Sequence, residues 1–254
     1  MDISARYHLG CDYSHTVMLG CLVSPAICED KPPTHTSKPY RHVANRSILS
    51  DILAATDELG GLGMLHFELN KAWPGTKGDA QAVIALLQYL SQRNLRPPVQ
   101  LNGVLFPDEV NEIHKETGSS LVLQFRQEFS QLPTQTLIAY IESVASSVAM
   151  ILLDPSAGTG HAIDLGPALH THQLLESHFP GHFSFGYAGG LGGISQEEKT
   201  HTTEVVRGIR AALGNGHFSV DSETRVRKPL AGASADILDL QRCEAYLSAV
   251  VAGL

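Results

Sequence analysis

The chain has 254 residues, 43% hydrophobic and 17% charged, with a formal net charge of −8; that length suits one domain with a sizeable core and excludes a disordered chain. The acidic balance, with no basic stripe interleaved with aromatics, excludes a nucleic-acid or anionic-membrane partner drawn in by long-range charge. No run approaches the roughly 18 apolar residues of a membrane span, the first residues lack a signal-peptide pattern, and Cys11, Cys21, Cys28 and Cys243 show no C-x-x-C spacing, so the expectation is a cytoplasmic protein with reduced, mostly buried thiols.

In chain order, residues 5–10 would have to supply an eighth strand, which leaves no room for a full helix before Val17. VMLGCLV (17–23) predicts a strand and 48–59 a helix, separated by a loop rich in Pro, Thr and His. Six more strands follow: MLHFEL (64–69), VQLN (99–102), LVLQF (121–125), VAMILL (148–153), HFSFGY (182–187) and HFSV (217–220). Their starts recur roughly every 20 to 35 residues, in keeping with a barrel unit of about 30.

Helical spacing fills the intervals. Asp79 is placed to cap a helix carrying Val83, Ile84, Leu87 and Leu90; Pro107 opens the next and Gly118 closes it. Leu137, Ile138, Ile141 and Val144 mark another. Ser195 and Glu198 have capping-box spacing ahead of Val205, Val206, Ile209 and Leu213, with Gly214 as a left-handed terminator, and Leu240 to Val251 carry the last stripe. Strands alternating with helices predict an α/β fold, a (β/α)8 TIM barrel over residues 1–254 as a single domain, with room for an irregular first β/α unit. Trp73, in AWPG, reads as a packed turn residue.

One segment is more specific than the rest. ILLDPSAGTGHAIDL (151–165) resembles the loop after the sixth strand of phosphoribosylanthranilate isomerases, where LLD precedes a G-T-G-x-x-x-D run. GYAGGLGG (186–193) is similar to that family's AGGL at the seventh strand, PVQLNG (98–103) to its QLHG at the fourth, and SVD (219–221) falls at the eighth. Order and approximate spacing agree over residues 98–221.

The resemblance implies an Amadori rearrangement. An aminoaldose phosphate opens, C2 loses a proton to a cysteine base, and an aspartic acid protonates the leaving ring oxygen. Asp154 stands at the place of that acid, where partial desolvation lets a carboxyl hold a proton near neutral pH; the alternative is an Asp that turns the strand end. Gly189 and Gly190 become a phosphate loop, with a ligand-free βα turn as the alternative, and Gly158 and Gly160 join the ligand set. Asp164 reads as the cap of a following helix.

Departures from the family pattern are equally informative. In place of a Ser-Gly loop after the eighth strand, the chain has Asp221, Ser222, Glu223, Thr224, Arg225, Val226 and Arg227. Ser222 and Arg225 are candidate phosphate contacts, Glu223 would repel the ligand, and Arg225 or Arg227 would offset it by a charge-assisted bond; a solvated charge cluster is the alternative. Asn102 replaces a histidine and is limited to hydrogen bonding.

The family's K-I-C-G motif is missing, so Cys21, Cys11 and Glu68 are the candidates for the base, although a thiol on an apolar strand is more often a buried hydrophobe. SKPYR (37–41) resembles the family's S-P-R-Y loop after the second strand; in that alignment Cys21 loses its role and Arg41 becomes a ligand contact. Thirteen histidines carry no H-E-x-x-H or finger spacing, so they are expected on helix and loop surfaces and no metal or cofactor is expected. The expected partner is a small phosphorylated metabolite. Two alternatives stay open: another reaction on a small phosphorylated or carboxylated metabolite, and a catalytically silent barrel that binds or supports a partner.

Overall fold

A computed structural model describes residues 17–31, 38–69, 80–126, 129, 131–156, 160–214, 216–232 and 235–254. Cys11, Gly158, Trp73, the Asp79 cap and residues 5–10 lie outside the described residues. Contacts gather the chain into two compact units, Met1–Val122 and Leu123–Leu254.

In the N-terminal unit, β1 (Met18–Val23), β2 (Leu62–Glu68) and β3 (Val99–Asn102) are parallel neighbours and lead into β4 (Leu121–Phe125). Register runs Met18 to Leu62 through Val23 to Phe67, then Leu65 to Val99 through Glu68 to Asn102. Helix α1 (Arg46–Glu58) starts where the Asn45 side chain accepts from the Ile48 amide at 2.9 Å. In α2 (Ala80–Ser91), Val83, Ile84, Leu86, Leu87 and Leu90 are buried along one stripe. Pro107 opens α3 (Pro107–Thr117), and Gly118, at φ 65°, closes it. The paired strands bury Val23, Leu65, Phe67, Val99 and Leu101 almost completely, which is the main source of stability in such a layer.

The C-terminal unit repeats the rhythm with α4 (Thr134–Val144), β5 (Val148–Leu153), α5 (Leu165–His178), β6 (Ser184–Ala188), α6 (Gln196–Leu213) and β7 (Phe218–Asp221). Parallel register pairs Met150 with Ser184 through Leu153 with Tyr187, and Phe185 with Phe218 through Ala188 with Asp221. Asp164 caps α5 by accepting from the Gly166 amide at 3.1 Å, and Ser195 caps α6 by accepting from the Glu198 amide, also at 3.1 Å. Seven parallel strands alternating with helices make the fold α/β, of the barrel class. No helix among the described residues is long and apolar enough to cross a membrane.

Several expectations need correction. Gly214 ends α6 at φ 60° and ψ −120°, outside the left-handed helical region. A short antiparallel hairpin, β8 (Arg227–Pro229) with β9 (Asp236–Leu238), precedes α7 (Leu240–Gly253). Ion pairs from Arg227 to Asp236 at 2.6 Å and from Lys228 to Asp239 at 2.5 Å hold it, and three-residue strands leave no alternation to read in the sequence. His172 is buried rather than on a surface. Its ring stacks on Phe185 at 3.8 Å, and its Nδ1 shares a hydrogen bond of 2.6 Å with the Tyr187 hydroxyl. Cys21 is buried, but Cys28 and Cys243 are only half-buried.

Helices α6 and α7 pack closely, with the Thr203 hydroxyl donating to the Ala249 carbonyl at 3.1 Å. The chain entering α6 touches α7 at Gly193, where a Cβ would stand 2.2 Å from the Ala245 carbonyl oxygen and 2.7 Å from the Tyr246 amide nitrogen. Backbone cannot yield as a side-chain tip can, so Gly193→Ala is expected to destabilise the fold by about 2–3 kcal/mol. Gly20→Ala, where the added carbon meets nothing within 4 Å, should change stability by less than about 0.5 kcal/mol. Equilibrium denaturation of the two variants beside the parent checks the contrast, and equal midpoints would refute the close contact.

Candidate active site

In the C-terminal unit a polar cluster grows from strand ends. Gln124 is the one amide in the apolar run of β4; it is buried and donates through Nε2 to Asp154 Oδ2 at 2.6 Å. Asp154 directly follows β5, is itself 4% exposed, and is pinned by its own amide donating to the Phe125 carbonyl at 2.8 Å. Its Oδ1 accepts from the Ser156 amide at 3.1 Å and the Ser156 hydroxyl at 2.7 Å. Three donors therefore fix this carboxyl in one orientation, which meets the positional requirement of a group acting at a strand mouth.

Asp221, the last residue of β7, faces the field of that carboxylate. Burial, then the negative charge of Asp154, then that of Glu223, push its carboxyl up to about 6, against a smaller opposing effect from the Ser222 amide. A buried tyrosine completes the group. The Tyr246 hydroxyl, on α7, finds no hydrogen-bond partner among the described residues, and burial together with the charge of Asp221 holds its proton well above the ordinary tyrosine range. The cluster thus offers a carboxyl pushed up to about 6, an oriented carboxylate acceptor, and a hydroxyl with an unspent donor.

The glycine loop has a different character. Gly189, at φ 130°, accepts through its carbonyl from the Ile163 amide at 3.1 Å. Gly190, at φ 62°, lies so close to the 161–162 backbone that a Cβ would stand 2.8 Å from it. Close approach of two backbones accounts for both glycines. Ser222 donates its hydroxyl to the Leu191 carbonyl at 2.6 Å, and Gly160 accepts from Arg225 Nη2 at 3.3 Å. Arg225 Nη1 meets Glu198 at 3.1 Å, and Arg227 meets Asp236.

The N-terminal unit holds the other candidates. Cys21 lies within β1 and is 5% exposed, and burial pushes its thiol up to about 11. Burial at this position works against a thiolate. Glu68 ends β2 beside Asn102 of β3. His42 Nε2 stands 2.8 Å from Glu68 Oε2, the imidazole being almost wholly covered and the carboxylate partly open. The side-chain oxygen of Asn102 is buried and has no hydrogen-bond partner among the described residues. Arg41 closes a 3-10 turn, Pro39–Arg41, ahead of His42. Among the described residues, no three His, Cys, Asp or Glu side chains gather as a metal site.

Gln124, Ser156, Tyr246 and His42 were not singled out from the sequence. Only Gln124 carried a signal, as a lone amide in an apolar strand, since a buried polar side chain must find a partner.

No protein-family model matches the chain, and none of the curated proteins matches it in sequence. Among solved structures it is similar to a Mycobacterium tuberculosis tryptophan synthase, with a TM-score of 0.57 and 12% identity over 94% of this chain and 92% of that one. A Pyrococcus furiosus N-(5'-phosphoribosyl)anthranilate isomerase gives 0.49 and 14% over 93% and 99%, and a Thermococcus kodakaraensis phosphoribosyl anthranilate isomerase gives 0.47 and 16% over 92% and 87%. At such identities the first of these likenesses supports the barrel fold alone.

The Asp221 shift has a defined sign in stability. Its carboxyl ionises near 3.8 when unperturbed and near 6 in the fold, so between those values the folded state binds more protons and stability falls as pH rises. Asp221→Asn should remove that slope and raise stability at pH 7 by on the order of 2–3 kcal/mol. Thermal melts at pH about 4 and about 7 read the difference; a variant no more stable than the parent at the higher pH would count against the raised carboxyl.

Proposed function

We propose that the chain is a barrel enzyme that donates a proton to an oxygen of a small polyhydroxylated metabolite, and that an Amadori-type isomerisation of an aminosugar is the reaction its acid site suits. The observation that carries this reading is the pair Asp154 and Asp221, in which one carboxyl is fixed by three donors and the other is pushed up to about 6 by burial and by its partner's charge. Such a divergence within one carboxyl pair is how a protein keeps an acid loaded near neutral pH.

In the proposed step, Asp221 gives its proton to the ring oxygen as the bond from that oxygen to C1 breaks, and C1 and the substituent nitrogen become an iminium. The Asp154 carboxylate stabilises that positive charge, and the Tyr246 hydroxyl donates to a ligand oxygen. Loss of the C2 proton to a base then neutralises the iminium to an enolamine, which tautomerises to the ketone. Cys21 does not suit that base, because burial keeps its thiol protonated.

The test is loss of the C2 proton signal and incorporation of deuterium at C1 of the product, followed by proton NMR, when the purified protein meets a panel of aldoses and glycosylamines in D2O, each with and without a phosphate. Turnover by the parent is expected, with kcat lowered about 10²–10⁴-fold in Asp221→Asn and in Asp154→Asn. The reading fails if no compound exchanges, or if both variants keep the activity of the parent.

A further inference from the structure

The likeness of the 186–193 run to a phosphate loop implies free donors at the start of α6 and a cation beside them. Both are already taken. The Ile194 amide donates to Glu198 Oε2 at 3.0 Å, and Arg225 Nη1 donates to Glu198 Oε1 at 3.1 Å, so one carboxylate spends each oxygen on a group that a bound phosphate would have used. Arg225 is turned further from any ligand by its second donor, Nη2, on the Gly160 carbonyl at 3.3 Å.

The surrounding groups are committed in the same way. Gly192 donates its amide to the Thr202 hydroxyl at 2.9 Å and receives that hydroxyl's proton on its carbonyl at 2.7 Å, with Thr202 wholly buried. A Cβ at Gly192 would stand 2.8 Å from Glu198 Oε2, so this glycine makes room for the protein's own carboxylate. The nearby cations Arg227 and Lys228 pair with Asp236 and Asp239. Glu198 itself is mostly covered, its side chain 13% exposed, and it is carried on the first turn of a long helix. Tethered there, it competes at high effective concentration with any free anion, and a phosphate arriving beside it would face like charge.

We infer that Glu198 is a built-in substitute for a ligand phosphate, and that the ligand of the neighbouring acid site has a neutral, hydroxylated group at this end. The second half of the inference rests on the reading of Asp154 and Asp221 as that acid site; the first half does not.

The experiment is a titration of the parent, Glu198→Ala and Glu198→Gln with inorganic phosphate and with ribose 5-phosphate at constant ionic strength, read by melting temperature and by phosphorus NMR line width. The parent should show no saturable response, and both variants should bind at least about tenfold more tightly, a gain that Arg225→Met in the Glu198→Gln background removes. Saturable phosphate binding by the parent as tight as by the variants would overturn the inference, and so would the failure of both folded variants to bind. Glu198→Gln keeps the side-chain length if Glu198→Ala fails to fold. None of these readouts needs turnover, so they stand apart from the deuterium experiment.

Discussion

A parallel strand covered on both faces can place a polar side chain cheaply only at its ends, because anywhere else the group must find a partner inside an apolar layer. The C-terminal unit follows that constraint. Tyr187 and Phe185 of β6 and Ile151 to Leu153 of β5 are buried, and the carboxyls come where β5 has just ended and where β7 ends. Gln124 is the exception within β4, and it is tolerated because its amide is spent on Asp154. Where a strand stops therefore decides where acid chemistry can sit, and the strand pairings, the caps and the helix packing serve to hold those endings still.

The carboxyl pair shows how burial, charge and donors place two like groups in different surroundings. Asp154 has a complete set of donors, whereas Asp221 has burial and two negative neighbours against one amide. The same unit pairs Arg225, Arg227 and Lys228 with Glu198, Asp236 and Asp239. These three cations brace the hairpin and the start of α6.

Much of this was legible in the sequence, for a physical reason. The strands β1 to β7 are short apolar runs bounded by turn residues, and the caps at Asp164 and Ser195 obey local hydrogen-bond rules that need no knowledge of the rest of the chain. Asp154 was legible because it follows an apolar run. What stayed hidden depends on distance: Tyr246 meets the field of Asp221 across 25 positions of sequence, His42 meets Glu68 across a helix, and the two arginines after β7 found internal carboxylates that no spacing announces. Gly189 and Gly190 were read either as a phosphate loop or as a ligand-free turn, and the close passage of residues 161–163, which no spacing announces, is a further demand on them.

The Ser195 and Glu198 arrangement has a consequence for how this protein can change over generations. Glu198 caps the opening of α6, through the Ile194 amide, and also fills the space around Arg225. Helix integrity and ligand range are thus carried by one codon. A lineage that lost this carboxylate would gain an open anion pocket and a looser helix in the same event, so the first step toward a new substrate would survive selection only where reserves of stability had already accumulated elsewhere in the chain.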